Sequence, residues 1–140
     1  MRRAVGTTGQ LVLGAVLLFT GAAHLSFARA EFRAQVPSWL PIDADAVVVA
    51  SGLVELGLAV ALLTAWRQPA RGIVGAVTAA FFVAILPGNI AQFTEHRDGF
   101  GLDTDAARAI RLLFQPLLVL WALAVTSAVP TLRSLRRRRA

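Results

Sequence analysis

The chain contains no cysteine and no lysine. Without a thiol it cannot exchange disulfides, form a disulfide bond or hold haem through thioether links, so any thiol chemistry must come from a partner. All fourteen basic residues are arginine, which reflects genome base composition more than chemistry. Acids are scarce, eight in 140 residues, and 56% of the chain is hydrophobic, an unusual balance for a soluble domain. Charge is missing altogether from long stretches. Between Arg3 and His24, Asp45 and Arg67, Arg71 and Glu95, and Arg111 and Arg133 lie four windows, each near the ~20 residues needed to cross a bilayer. The one charged residue inside any of them is Glu55, in "SGLVELGLA". A four-helix bundle in water would alternate apolar and polar faces, whereas these windows are apolar on nearly all sides. A membrane solvent accounts for both features.

The expected fold is therefore an all-α membrane protein, a single domain over residues 1–140 built as a four-transmembrane-helix bundle. Its spans are expected at about 8–27, 44–66, 72–93 and 110–132, with a basic tail over 133–140. Arg2 and Arg3 precede the first span, Arg67 and Arg71 lie between the second and third, and Arg133 with Arg136 to Arg139 follow the fourth, with no acid in any of these segments. The other two connections mix Arg29, Arg33, Arg97, Arg108 and Arg111 with Glu31, Asp43, Asp45, Glu95, Asp98, Asp103 and Asp105. The positive-inside rule then predicts a multi-pass protein of the cell inner (plasma) membrane with both termini cytoplasmic. The "RRRR" tail is expected to hold the last helix against anionic lipid, and no nucleic-acid partner is expected. "MRR", the apolar run and "ARA" at 28–30 also satisfy the loose pattern of a cleaved signal peptide, but the run is as long as a full span once Val5 to Gln10 are counted.

After the first span, "FARAEFRAQVPSWLP" is too polar to cross and too aromatic for a free loop. A short interfacial helix is expected, with Phe27, Phe32 and Trp39 in the headgroup layer and Pro37 and Pro41 ending it. The short connection "RQPA" predicts that spans two and three are antiparallel neighbours, and "TEHRDGFGLDTDAA" brings span four beside span three. Glycines at 14, 21, 52, 57, 72 and 75 allow close helix approach.

Polar side chains inside a membrane are costly unless paired. Placed by their rise along each helix, His24, Asn89, Gln92, Arg111 and Gln115 all fall at one level near the outer face, with Glu55 about 8 Å deeper and Ser51 one turn above it. No comparable polar set is expected in the inner half. The expectation is an outer-facing polar pocket with Glu55 and His24 as a proton relay and Asn89, Arg111, Gln115, Ser51 and Gln92 binding a ligand. Plainer roles stand beside each: His24 as an interfacial anchor, Asn89 and Gln115 as interhelical glue, Arg111 reaching to headgroups. Glu55 is too deep for that, and an intramembrane carboxylate is a functional candidate by default.

Read together, "GAAHL", "VPSWLP", "SGLVELGLAVALL", "PGNI" and "RLLFQ" resemble, in order and from about Gly21 to Trp121, the DoxX family of small four-helix membrane proteins. Leu25 stands where that family usually has Phe, and Gly88 where it usually has Ala. The family's recurring polar positions fall on His24, Glu55, Asn89, Arg111 and Gln115. The resemblance implies a membrane subunit of a redox, sulfur-linked or oxidative-stress system, since some relatives serve thiosulfate:quinone oxidoreductases and one is linked to a sulfurtransferase and superoxide dismutase.

Three functions compete. The first is a redox membrane subunit that takes a quinone or small sulfur species into the pocket, with redox partner proteins or a second copy of itself supplying what the chain lacks. The second is a binding or transport protein for a small solute or lipid, for which only the Pro87 region hints at the broken helix that carriers use. The third is a non-catalytic assembly subunit whose polar cluster is glue. No metal site is expected: a bis-histidine haem would need the loop carrying His96 to fold back onto His24, and "DGFGLDTD" lacks the ligand spacing of a calcium loop.

Overall fold

The computed structural model describes residues 2–138, with side chains from Val5 onward; Met1 and, from the expected tail, Arg139 and Ala140 lie outside the described residues. Among the described residues there are seven helical segments and no strand: α1 (Arg2–Leu25), α2 (Arg29–Arg33), α3 (Ala44–Thr64), α4 (Ala70–Ala84), α5 (Leu86–Thr94), α6 (Asp105–Val125) and α7 (Ala128–Arg137). Asp43 starts α3 by accepting from the Ala46 N–H at 2.9 Å, and Thr104 starts α6 by accepting from Ala107 at 3.2 Å.

Four stretches are long and apolar enough to cross a bilayer: Val5–Leu25, Ala44–Thr64, Ala70–Thr94 and Asp105–Val125. No more than 33% of any of them is buried within the bundle. The apolar remainder therefore faces a lipid solvent, and the chain is a multi-pass membrane protein. The third stretch is two helices in line, α4 and α5, parted at Ile85, where Pro87 has no N–H for the Val83 carbonyl.

The last expected span requires correction. Its helix does not run over 110–132; it starts at Asp105 and stops at Val125, where Ser127 takes a left-handed conformation (φ 57°) and turns the chain into a separate α7. The low charge of "AVTSAVPTL" continues through the corner, so composition does not reveal it. Pro130 does, because it cannot donate to the Thr126 carbonyl four residues back. Gln68 takes that carbonyl instead, with Nε2 donating at 2.9 Å.

The helices pack as two close pairs, α1 on α3 and α4 on α6. Leu13, Leu17, Leu58, Leu62, Phe82 and Ala122 fill the space between the pairs. α1 also touches α6, and the sparser α3–α4 seam closes the ring. Spans two and three are thus neighbours, as their short connection predicts, but theirs is the thinnest junction of the four.

The α1–α3 pair is set by Gly21 and Gly52. A Cβ added at Gly52 would lie 2.7 Å from the His24 Cβ and 3.1 Å from the Gly21 carbonyl oxygen, and one at Gly21 would lie 3.0 Å from the Gly52 carbonyl. Backbone therefore rests on backbone, the small-residue packing that membrane helices use in place of a hydrophobic drive.

The end of the bundle that carries both described termini is not polar-poor, contrary to expectation. Gln10, wholly buried, donates from Nε2 to the carbonyls of Leu62 (2.6 Å) and Ala65 (3.0 Å), the orphan acceptors at the end of α3. Arg71 donates to the Val125 carbonyl at the end of α6 (2.7 Å). The Gln68 amide oxygen accepts from the Gly72 N–H (3.0 Å) and the Thr131 hydroxyl (2.8 Å), tying α7 to α4. These polar groups cap the ends of α3 and α6 and join α7 to α4.

Gly52→Ala is expected to destabilise the protein by about 1–3 kcal/mol through overpacking against backbone that cannot yield. A lowered midpoint of equilibrium unfolding in bicelles measures this; an unchanged midpoint contradicts the close approach.

Candidate functional site

Away from the termini the two helix pairs diverge and enclose a cavity of about 350 Å³. His24 and Thr20 reach it from α1, Ser51 and Glu55 from α3, and Arg111 and Gln115 from α6. Leu17, Val48, Phe81, Phe82 and Leu118 make its apolar walls. Five of the seven residues singled out in the sequence, His24, Ser51, Glu55, Arg111 and Gln115, thus share one space.

The approach at Gly52 places His24 against Glu55. The His24 Nδ1 lies 2.8 Å from the Thr20 carbonyl oxygen and 3.1 Å from the Glu55 Oε2. A carbonyl only accepts, so Nδ1 carries the proton and points it at Thr20. Glu55 Oε2 is then close to the ring yet has no directed hydrogen bond among the described residues. Glu55 is 6% exposed and His24 7%. A buried carboxylate oxygen left in this state is costly.

Arg111 lines the same cavity as Glu55, from α6. The two make no direct ion pair among the described residues; the guanidinium's one side-chain contact is NH1 to the Gln115 Oε1 at 3.4 Å. Gln115 is committed elsewhere, its Nε2 donating to the Phe82 carbonyl at 2.8 Å beside the α4–α5 break. It is interhelical glue as well as cavity wall. An acid and a guanidinium held apart across an apolar cavity leave unspent acceptor and donor capacity directed at its interior.

Asn89 and Gln92 do not line the cavity. Both are buried on α5, at 4% and 2% exposure. Gln92 Oε1 accepts from Gln35 Nε2 at 3.2 Å, while Gln92 Nε2 and Asn89 Oδ1 are unpartnered among the described residues. Depth along a helix is legible from residue number, but which space a buried side chain faces is not.

A cap covers the cavity, and part of it departs from expectation. Phe32 does not lie outward as an interfacial anchor; it stacks on the His24 ring (centroids 3.3 Å apart, planes at 16°), and Phe100 packs edge-on against it at 4.7 Å. Phe27, in contrast, is 73% exposed and Trp39 67%, as an interfacial segment requires. Gln35, three residues beyond Phe32 on the same face, also lines the cavity. Glu31 accepts from the Phe100 N–H at 2.5 Å, and Arg97 donates to the Val36 carbonyl at 2.6 Å.

The loop over 95–104 is likewise more than a solvated excursion. Arg108, only 5% exposed, pairs with Asp98 and with Asp105 (2.7 Å) and donates from Nε to the Arg97 carbonyl at 3.2 Å. His96 pairs with Asp105 at 2.8 Å, away from His24. On the far side Arg33 donates to Asp45 at 2.7 Å, fixing α2 to the start of α3. The spacing of Asp105 and Arg108, three apart in a helix, was a signal available in the sequence.

The neutral His24 ring is expected to be the Nδ1–H tautomer. Ring ¹⁵N shifts of histidine-labelled protein in a His96→Gln background report this directly, and a proton found on Nε2 alone contradicts the geometry. Arg108→Ala is expected to expose the 95–104 loop to limited proteolysis while the four long helices stay protected; a loop equally resistant with and without Arg108 would show that the ion pairs do not hold the cap.

No curated protein and no solved structure matches the chain. One family model does, described as a domain of unknown function (DUF8561), over residues 13–126. That match spans well over half of the chain, from the middle of α1 to the end of α6 and so through every wall of the cavity. The protein belongs to the DUF8561 family of domains.

Proposed function

We propose that the protein is a membrane subunit of a redox or sulfur-linked system that receives a quinone headgroup in the His24–Glu55–Arg111 cavity. In this reading it lies in the plasma membrane with both termini cytoplasmic and the cavity toward the outer leaflet. The observation that carries it is the buried Glu55 Oε2, without a hydrogen bond among the described residues, on an apolar cavity that Arg111 also lines. The volume lies at the lower end of the about 300–1,000 Å³ typical of small-molecule sites, and apolar walls with a few placed polar groups are their usual chemistry. The DoxX-like motifs support the same class, since they include His24, Glu55, Arg111 and Gln115 in order along the chain.

The residues fit a quinone. Its carbonyl oxygens need donors, which the Arg111 guanidinium and the Ser51 hydroxyl supply from facing helices, and its flat ring needs apolar walls such as Leu17, Phe81 and Phe82. A bound quinone supplies two-electron, two-proton chemistry. The Glu55 carboxyl, 3.1 Å from the His24 ring, is placed to take up or pass on a proton beside the headgroup. His24 keeps its Nδ1 proton on Thr20 and offers Nε2 as the second proton position. Electrons come from a partner protein.

A small-solute or lipid carrier is the second reading, favoured by the broken third span beside the cavity, where Ile85 parts α4 from α5.

Protein extracted from its native membrane is expected to carry quinone, and Glu55→Gln to weaken binding in nanodiscs of a short-chain benzoquinol, whose hydroxyl donates to the carboxylate, about tenfold or more, the loss of one charge-assisted contact. Absence of extracted quinone together with unchanged affinity in Glu55→Gln rejects the redox reading. Proton-dependent solute uptake by reconstituted vesicles would replace it with the carrier.

A further inference from the structure

The cavity's surroundings bear on how a ligand reaches it. Toward the aqueous end it is covered: Phe32 lies flat on His24, Phe100 on Phe32, and Val36 and Pro37 are buried beneath the loop that Arg97 ties down. Sideways it is not. The α3–α4 junction is the thinnest in the ring, and Val47 on α3 with Phe81, Ala84 and Ile85 on α4 and its end line the cavity from the two sides of that seam. Ala84 is exposed on the outer surface while also lining the cavity. A second lateral approach exists between α1 and α6, where Val16 is 41% exposed. Thr20 and Arg111 stand on that side, and a cation beside a hydrocarbon chain is unfavourable.

From this we infer that the α3–α4 seam is a lateral portal to the bilayer, and that the ligand is an amphiphile with a single apolar tail, seated with its headgroup at Glu55 and Arg111 and its tail passing between Val47 and Ala84 into lipid. The inference rests on the headgroup reading above and narrows it: the ligand arrives from the membrane and not from water. Ala84, the smallest of the seam residues, is open to both the cavity and the outer surface, and Trp39 and Leu40 add apolar lining. The tail stays in hydrocarbon before and after binding, so it adds little affinity. It sets the route and the orientation.

The test uses full-length protein in nanodiscs and two probes, 2,3-dimethoxy-5,6-dimethyl-benzoquinone, which has no tail, and its decyl homologue. Affinities are expressed per mole of lipid. Wild type is expected to bind both, within about threefold of each other, since tail transfer cancels. Ala84→Trp, which fills the seam from an exposed position, is expected to weaken the decyl probe about tenfold or more and leave the tail-less probe within about twofold, retained binding being its own folding control. Val16→Trp, on the α1–α6 side of the cavity, is expected not to discriminate between the two probes. Should Ala84→Trp lose both probes, Val47→Trp on the opposite wall is read by the same criterion. Both probes bound undisturbed by either seam variant, or selective loss of the decyl probe in Val16→Trp, overturns the portal while the headgroup reading stands. Failure of wild type to bind either probe overturns the headgroup reading and the portal with it.

Discussion

Inside a membrane every backbone carbonyl and every polar side chain must find its partner within the protein, and the two ends of this bundle meet that constraint differently. At the terminal end Gln10, Gln68 and Arg71 are spent on the orphan carbonyls that close α3 and α6. At the other end the side chains of His24, Glu55 and Arg111 surround a cavity, and Glu55 has an oxygen without a hydrogen-bond partner among the described residues. The first group caps the ends of the helices. Among the described residues both groups include a buried polar atom without a partner, Gln10 Oε1 and Arg71 Nε in the first and Glu55 Oε2 in the second, and what sets the second apart is that it surrounds a cavity.

The cavity follows from how the ring is closed. Gly21 and Gly52 let α1 and α3 touch through backbone, and the same contact presses the His24 Cβ toward α3 and its ring onto Glu55. Glycines at 72 and 75 admit Thr131 and Thr126, drawing α4 onto the α6–α7 corner. Two tight pairs with a loose seam between them leave space where they diverge. The cap of α2 and the 95–104 loop then closes the aqueous side through Arg97 and Arg108, so the space is bounded by ion pairs above and by lipid-facing helices around.

Much of the site is legible in the order of the amino acids alone. Hydrophobic windows bounded by charges count the spans, and the fixed rise of a helix converts residue number into depth, which is why His24, Ser51, Glu55, Arg111 and Gln115 form one set. Asn89 and Gln92 show the limit of that reasoning. They share the depth but are not among the residues that line the cavity. Phe32 shows another limit: an aromatic in an amphipathic connection reads as an interfacial anchor until the cap folds it inward onto an imidazole.

The sequence by itself determined the solvent, the number of spans and the level of each polar group, because these depend on local hydrophobicity and on a helical rise that packing barely alters. Only the tertiary structure decided which helices pair, where α6 turns into α7, which amides face the cavity and which seam remains thin. Those outcomes rest on the rotation of each helix about its axis and on backbone contacts between residues such as Gly21 and Gly52. Such contacts are non-local, and no window of sequence contains both partners.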